Sequence, residues 1–273
     1  MKSAVAIILF LISFSTLRAQ FYNSSEPLAH TFSIVARDAN TGEMAVGVQS
    51  HWFSVGSSVS WAEAGVGAIA TQSFINKSYG PRGLSLLKEG KTAKEALEIL
   101  LAEDEGRAFR QVAIVDANGN VASHTGKSCI REAGMRQGEG YSVQANMMLT
   151  DEVWDAMAEA YEKNDELPLA ERIVATMEAA QMAGGDIRGK QSAVVLLVSG
   201  DENVPEWDDP VIDLRVDDNP EPILELKRLL KVYRAYEHMG KGDLALEAND
   251  MKTALDEYAA ARDMFPNNLE MKY

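Results

Sequence analysis

Apolar and polar residues alternate near the start of the chain, which predicts a pair of antiparallel strands. Residues 32–37 alternate with the period of two that is typical of a half-buried strand. Residues 38–42 supply a turn, and residues 44–50 return as the second strand. Residues 51–60 are rich in serine and show no clear period, so they are predicted to form a loop. Residues 66–72 are predicted to form a third strand.

Later segments predict helices that arrive in two pairs between further strands. The helices are expected at residues 80–89, 92–103, 150–163 and 168–182. The remaining strands are expected at residues 111–116, 121–125, 141–145 and 192–199. Asn118-Gly119 is a strong hairpin signal between the first two of these strands. Paired helices between sets of strands favour stacked layers of sheet and helix over a doubly wound sheet.

The composition changes after Gly200. Residues 201–273 carry 18 acidic against 9 basic side chains. Residues 200–220 are predicted to be an acidic connector, and residues 221–273 a small all-helical tail whose first helix ends at Gly240. Deletion of this tail is expected to leave the main domain folded.

The end of the tail follows the pattern of a tetratricopeptide repeat. The matching positions are Gly242, Ala254, Tyr258, Ala261 and Pro266. The alternative is a plain amphipathic hairpin docked on the main domain. A repeat-like tail indicates a protein partner, because single units of this kind are stabilised by stacking.

The first twenty residues have the pattern of a secretory signal peptide. Lys2 precedes the apolar residues 4–12, and Ala19 is a small residue suited to signal peptidase. The alternative is a buried N-terminal helix. We therefore expect residues 1–20 to be removed and the mature protein to be exported, to the periplasm or the extracellular space. No other stretch approaches the ~18 apolar residues of a membrane span, so the mature protein is not expected to cross a membrane.

Charge and composition exclude several classes of function. The net charge of −15 and pI near 4.7 repel phosphate backbones and argue against a nucleic-acid partner. The single cysteine, Cys129, excludes an intrachain disulfide framework. The four histidines lack metal-ligand spacing, so we predict no metal and no cofactor. A Cys129–His124 dyad is conceivable, but a buried, inert cysteine is the commoner case.

Thr31 remains as the one candidate nucleophile of the sequence. It directly precedes the first strand, and a threonine at a free N-terminus attacks amides with its own α-amine as general base. The alternative is a β-branched residue that merely begins a strand.

Four segments resemble one family, in the same order along the chain. They are residues 31–38, 65–73, 79–83 and 184–193. The family is the domain of unknown function 1028 family, and the resemblance covers residues 31–199. It implies an α+β fold, the four-layer αββα sandwich of the N-terminal-nucleophile (Ntn) hydrolase-like superfamily. That superfamily cuts amide bonds, but the family has no established substrate.

Thr31 matches the first strand residue of the family, the position that an Ntn nucleophile occupies. Signal cleavage after Ala19 leaves eleven residues ahead of Thr31. The Thr31 amine is therefore free only after a second cut between His30 and Thr31. Without that cut, catalysis of the Ntn type is impossible.

Further candidate site residues lie where the predicted strands end or loops begin. They are Ser50, His51, Gln72, Ser73, Asn146, Asp186 and Arg188. Asn146 is a candidate oxyanion donor, and Asp186 and Arg188 either pair with each other or hold a substrate carboxylate. Each of them also has a purely structural interpretation, as a loop cap, a turn former or a surface ion pair.

Two functions of different class remain. The first is an exported, non-catalytic Ntn-fold protein that binds a small amide or peptide and contacts a partner through its tail. The second is an amidohydrolase or peptidase that uses Thr31 after cleavage at His30–Thr31. The N-terminus of the exported protein discriminates between them.

Overall fold

The computed structural model describes residues 28–29 and 31–270. The predicted signal peptide, residues 1–20, lies outside the described residues.

Two antiparallel sheets contain all the strands of the described residues. Sheet I comprises β1 (Leu28–Ala29), β4 (Ser60–Glu63), β5 (Gly67–Phe74), β6 (Arg110–Asp116) and β7 (Val121–Thr125). Sheet II comprises β2 (Thr31–Arg37), β3 (Met44–Ser50), β8 (Gly134–Gly138), β9 (Tyr141–Ala145), β10 (Ser192–Val198) and β11 (Ile212–Val216). The strand order of sheet II is β11-β10-β3-β2-β9-β8. In sheet I, β5 pairs with β6 on one side and with both β4 and β1 on the other.

Helices cover the outer face of each sheet. Those of the described residues are α1 (Gly56–Val59), α2 (Tyr79–Lys88), α3 (Ala93–Ala102), α4 (Val153–Lys163), α5 (Leu169–Met182), α6 (Pro222–Glu247) and α7 (Met251–Met264). Helices α2 and α3 pack on sheet I, whereas α4, α5 and the first half of α6 pack on sheet II. The prediction of a mixed α+β protein is confirmed.

The period of two along the strands divides the core into separate apolar layers. In β5, Ile69 faces helices α2 and α3, while Ala68 and Ala70 face the other sheet. The apolar residues between the sheets include Val35, Met44, Val46, Val48, Ala68, Ala70, Ala113, Val115, Val194, Leu196 and Val198. All of these are buried, so the two sheets pack directly on each other.

A local signal sets the start of α3 where the sequence predicts it. The Thr92 hydroxyl accepts a hydrogen bond from the Glu95 backbone, and the Glu95 carboxylate accepts one from the Thr92 backbone at 2.8 Å. This capping box satisfies backbone N–H groups that have no partner inside α3.

Several strands and one helix lie where the sequence predicts none. The predicted loop at residues 51–60 contains α1 and the first residue of β4. The predicted connector at residues 200–220 contains β11, which pairs with β10 along its whole length. Strand β8 was also missed, because two of its five residues are glycines and it lacks an apolar alternation.

Helix α6 does not end at Gly240 but continues through Gly242 to Glu247. A Cβ at residue 242 would lie 2.5 Å from the Tyr258 ring, so glycine is what allows α7 to approach this closely. That packing offsets the ~1 kcal/mol that a glycine costs inside a helix.

The first half of α6 belongs to the core of the main domain. Ile223, Leu226 and Leu230 are buried against sheet II and its helices. A cut at residue 221 would remove these side chains and expose the face of sheet II that they cover. The structure therefore argues against the expectation that deletion of residues 221–273 leaves the domain intact.

Among the described residues, no helix has the length and apolar character needed to cross a membrane.

Candidate functional site

At one end of the layer between the sheets, polar residues replace the apolar ones. We call this region the polar end; it comprises Thr31, Ser33, Ser50, Gln72, Gln111, Gln144, Asn146 and Ser192, all buried. Six of them lie on the strand face that points at the other sheet, an even number of residues from an apolar neighbour such as Val35, Val48 or Ala70. The other two are Gln144, whose amide reaches the Ala70 carbonyl from β9, and Asn146, which directly follows β9. The strand alternation thus carries these side chains into the core although they are hydrophilic.

Thr31 begins β2 and lies opposite Ser50 in the strand register. Its hydroxyl donates to the Ser50 hydroxyl at 3.1 Å, and the side chain is fully buried. Its carbonyl oxygen accepts from the Asn146 backbone at 3.1 Å, the Asn146 side chain at 3.3 Å and the Gln72 side chain at 3.1 Å. Within the described residues, no carboxylate, imidazole or amine forms a hydrogen bond with the Thr31 hydroxyl.

Gln111 links the amides of the polar end, and sequence analysis missed it. Its Oε1 accepts from Gln72 Nε2 at 2.8 Å and from Asn146 Nδ2 at 2.9 Å. Its Nε2 donates to the Ala145 carbonyl and the Thr125 hydroxyl, both at 2.9 Å. Gln111 therefore orients both amides that hold the Thr31 carbonyl.

Three amide oxygens of the polar end have no hydrogen-bond partner among the described residues. They belong to Gln72, Gln144 and Asn146. Their own amide nitrogens all face acceptors, so rotating an amide would bring oxygen against oxygen. An unsatisfied buried acceptor costs about 1–3 kcal/mol. The polar end thus offers acceptors for N–H groups such as those of an amide ligand.

A second group of predicted residues adjoins the end of β3. The His51 backbone N–H donates to the Asp186 carboxylate at 3.0 Å, and Arg188 pairs with the same carboxylate through two nitrogens, at 2.8 and 3.2 Å. The Asp186 side chain is fully buried. Gly189, at φ +114°, lets the loop turn back so that Gln191 bonds to the Ser50 carbonyl at 3.1 Å. Of the two predicted alternatives, the structure has Asp186 and Arg188 paired with each other.

Ser73 is separated from the other predicted residues. Its φ of +69° interrupts the regular strand, and its side chain lies beside the Cys129 thiol. Burial raises the pKa of that thiol above its ordinary value, so Cys129 is poorly suited to act as a nucleophile. The Cys129 thiol donates to the Arg110 carbonyl and the His124 ring contacts the Arg107 carbonyl, so the two do not form the conceivable dyad.

The described part of the chain contains no group of three histidine, cysteine or acidic side chains arranged to hold a metal ion.

This is a mixed α+β protein in which two facing antiparallel sheets enclose a buried polar end. A family model described as "Family of unknown function (DUF1028)" matches residues 31–226, and the chain belongs to this family. The match extends past residue 199, the predicted limit of the domain, to include β11 and the start of α6. No curated protein matches the chain.

Two solved structures are similar to this protein. The crystal structure of protein SPO2555 from Silicibacter pomeroyi, of the same family, is 30% identical with a TM-score of 0.66, covering 74% of this chain and 85% of that one. The Anbu protein (ancestral beta-subunit) from Yersinia bercovieri is 10% identical with a TM-score of 0.36, covering 80% of this chain and 96% of that one. The second likeness is too low to carry an argument.

Proposed function

We propose that this chain is an exported protein of Ntn-hydrolase-like fold that, as an intact chain, binds a small amide or peptide at the polar end without cleaving it. Two facing sheets with helices on both outer faces support the four-layer αββα assignment. The signal-like residues 1–20 support export to the periplasm or the extracellular space.

The environment of Thr31 carries the proposal. An N-terminal nucleophile needs a free α-amine as its base, and in the intact chain the Thr31 nitrogen is part of a peptide bond. Among the described residues, the Thr31 hydroxyl bonds to the Ser50 hydroxyl, which is not a base near neutral pH. The surrounding amides of Gln72, Gln111 and Asn146 instead suit recognition of another amide.

The N-terminus of the exported protein tests this proposal. We expect N-terminal sequencing and intact mass to give a chain that begins at Gln20 or Phe21. A chain that begins at Thr31 would overturn the non-catalytic assignment, because the amine would then be available as a base.

The second candidate function is an amidohydrolase or peptidase activated by cleavage between His30 and Thr31. The observation that favours it is the gathering of Gln72 and Asn146 amide donors around Thr31. In this reaction the Thr31 oxygen forms an ester with the acyl group as the C–N bond breaks. The α-amine passes the hydroxyl proton to the departing amine, and water then hydrolyses the ester to regenerate Thr31.

The helical tail is proposed to contact a protein partner as a single tetratricopeptide-like unit. The close packing of Gly242 on Tyr258 and the buried pair Ala235 and Ala261 support this assignment. Units of this kind are stabilised by stacking on neighbours. The exposed Leu244 and Leu255 supply an apolar surface for such a contact.

A further inference from the structure

The residues just before Thr31 supply one strand of sheet I. Strand β1 pairs antiparallel with the end of β5, with Leu28 opposite Phe74 and Ala29 opposite Ser73. The chain then enters sheet II at Thr31, two residues after Ala29. The chain therefore passes from one sheet to the other beside the polar end.

The edge of β5 that β1 occupies is short and bounded. Strand β4 pairs with the first half of β5, from Gly67 to Ala70, and reaches no further. Beyond it, β5 continues for four residues, of which β1 pairs with the last two. A strand edge of this kind presents N–H and C=O groups that an extended peptide can pair with.

A buried ion pair holds this edge in place. The Arg110 guanidinium, in a residue that is 3% exposed, donates to the Phe74 carbonyl at 2.8 Å and to the Asp104 carboxylate at 2.7 Å. Burial disfavours the charged form of Asp104, but hydrogen bonds from Arg110 and Tyr79 bring its pKa below the ordinary value. The Phe74 ring also packs edge-to-face on Phe109, with centroids 5.5 Å apart. An edge fixed in this way loses little freedom when a strand is added.

We propose that the Ser73–Phe74 edge of β5 is a binding site for an extended peptide, and that β1 is its occupant within this chain. The proposal rests on the proposed function and names the ligand class of the same site. Because β1 runs towards Thr31, a peptide bound in the same direction points its C-terminal end at the polar end. The side-chain oxygens of Gln72 and Asn146 there have no partner among the described residues and can accept from an N–H group near its C-terminal end.

The intact chain then carries its own competitor. A tethered strand acts at an effective concentration in the millimolar range, so an added peptide competes poorly against it. Weakening β1 without removing it is the most direct way to open the site.

The test uses the full chain with Leu28→Pro and Ala29→Pro together, since proline has no N–H to donate to a strand ladder. The probe is a fluorescein-labelled peptide with the sequence of residues 21–30, titrated by fluorescence anisotropy. We expect the variant to bind it at least ~10-fold more tightly than the natural chain, given the loss of the tethered competitor. The matched control, Leu28→Ala, keeps both backbone N–H groups and is expected to bind like the natural chain.

Two results would overturn the proposal. One is equal probe affinity in the proline variant and the natural chain; the other is undiminished binding of a probe N-methylated at its leucine and alanine nitrogens. Circular dichroism verifies that the variant is folded.

If the proline variant does not fold, a disulfide variant tests peptide binding at the β5 edge independently. In Leu28→Cys with Phe74→Cys, antiparallel partners are close enough to be crosslinked. Oxidation should abolish probe binding and reduction should restore it, whereas equal binding in both forms contradicts the proposal. N-terminal sequencing of the same samples separates the two questions, because a chain beginning at Thr31 refutes the non-catalytic function while leaving the peptide edge to be judged by binding.

Discussion

The two ends of the layer between the sheets are built from the same strands and differ in chemistry. In the apolar half, Val35, Met44 and Val46 pack against the alanines and valines of sheet I. A few residues along the same strand faces, Thr31 and Gln72 form a network of hydrogen bonds through Gln111 and Asn146. The apolar half is held together by the packing of side chains of matching volume. The polar end is held together by hydrogen bonds, which depend on the directions of donors and acceptors.

Magnitudes separate the roles of the two halves. Burying a Val or Met side chain contributes about 1.5–3 kcal/mol, whereas a typical hydrogen bond contributes a net 0.5–1.5 kcal/mol. Each unsatisfied buried oxygen of Gln72, Gln144 and Asn146 subtracts from that gain. Stability alone therefore favours apolar residues at both ends, which is the reason that we propose ligand recognition as the role of the amides.

The largest effect is expected from truncating the apolar half. Met44→Ala should lower the free energy of unfolding by about 2–5 kcal/mol, because it leaves a cavity between the sheets. Urea denaturation measures this loss. The matched control Met44→Leu preserves volume and should cost less than about 1.5 kcal/mol. Equal, small losses in both variants would show that the apolar half is loosely packed.

An intermediate effect is expected from removing the link between the amides. Gln111→Met has a similar volume but deprives Gln72 and Asn146 of a shared acceptor, so it should cost about 1–3 kcal/mol. It should also weaken binding of the peptide probe to the proline variant described above. Unchanged probe affinity would limit the polar end to a structural role, even if stability falls.

The smallest effect on stability is expected at Thr31. Thr31→Val replaces the hydroxyl with a methyl group of the same shape and removes one hydrogen bond to Ser50, a cost of about 0.5–1.5 kcal/mol. Thr31→Ser keeps the hydroxyl and serves as the control. Intact mass decides the larger question: a processing cut at His30–Thr31 that persists in Thr31→Ser but disappears in Thr31→Val would favour the amidohydrolase.

The convergence of strand ends was partly predictable from the sequence. Thr31 is a candidate because it is a possible nucleophile directly before the first predicted strand. Ser50, Gln72 and Asn146 are candidates because they end or follow predicted strands, and the structure brings these four residues together. Gln111 was missed although it begins a predicted strand, because nothing in its local sequence shows that this strand lies beside Gln72. A polar residue in register with a buried alternating face is the signal that could have found it.

Ser73 shows the opposite failure. It was included because it follows Gln72 at a strand end, but neighbouring residues of a strand point to opposite faces. Its side chain accordingly lies beside Cys129 rather than in the polar end.

The division of the tail also depended on long-range packing. The apolar stripe of α6 predicts a helix. The spacing of its apolar residues does not show whether they pack on sheet II or on α7. In the structure the first half of α6 packs on sheet II and the second half on α7.

By itself the sequence determined the features that depend on near neighbours: the strand periods, the hairpins, the capping box at Thr92 and the acidity of the last quarter. Tertiary structure alone decided which strand ends meet, that Gln111 orients the amides around Thr31, and that β1 occupies the edge of β5. The physical reason is range. Alternation and capping arise within a few residues, whereas contacts such as Gln72 with Gln111 or Thr31 with Asn146 join segments that only the packing of two sheets brings together.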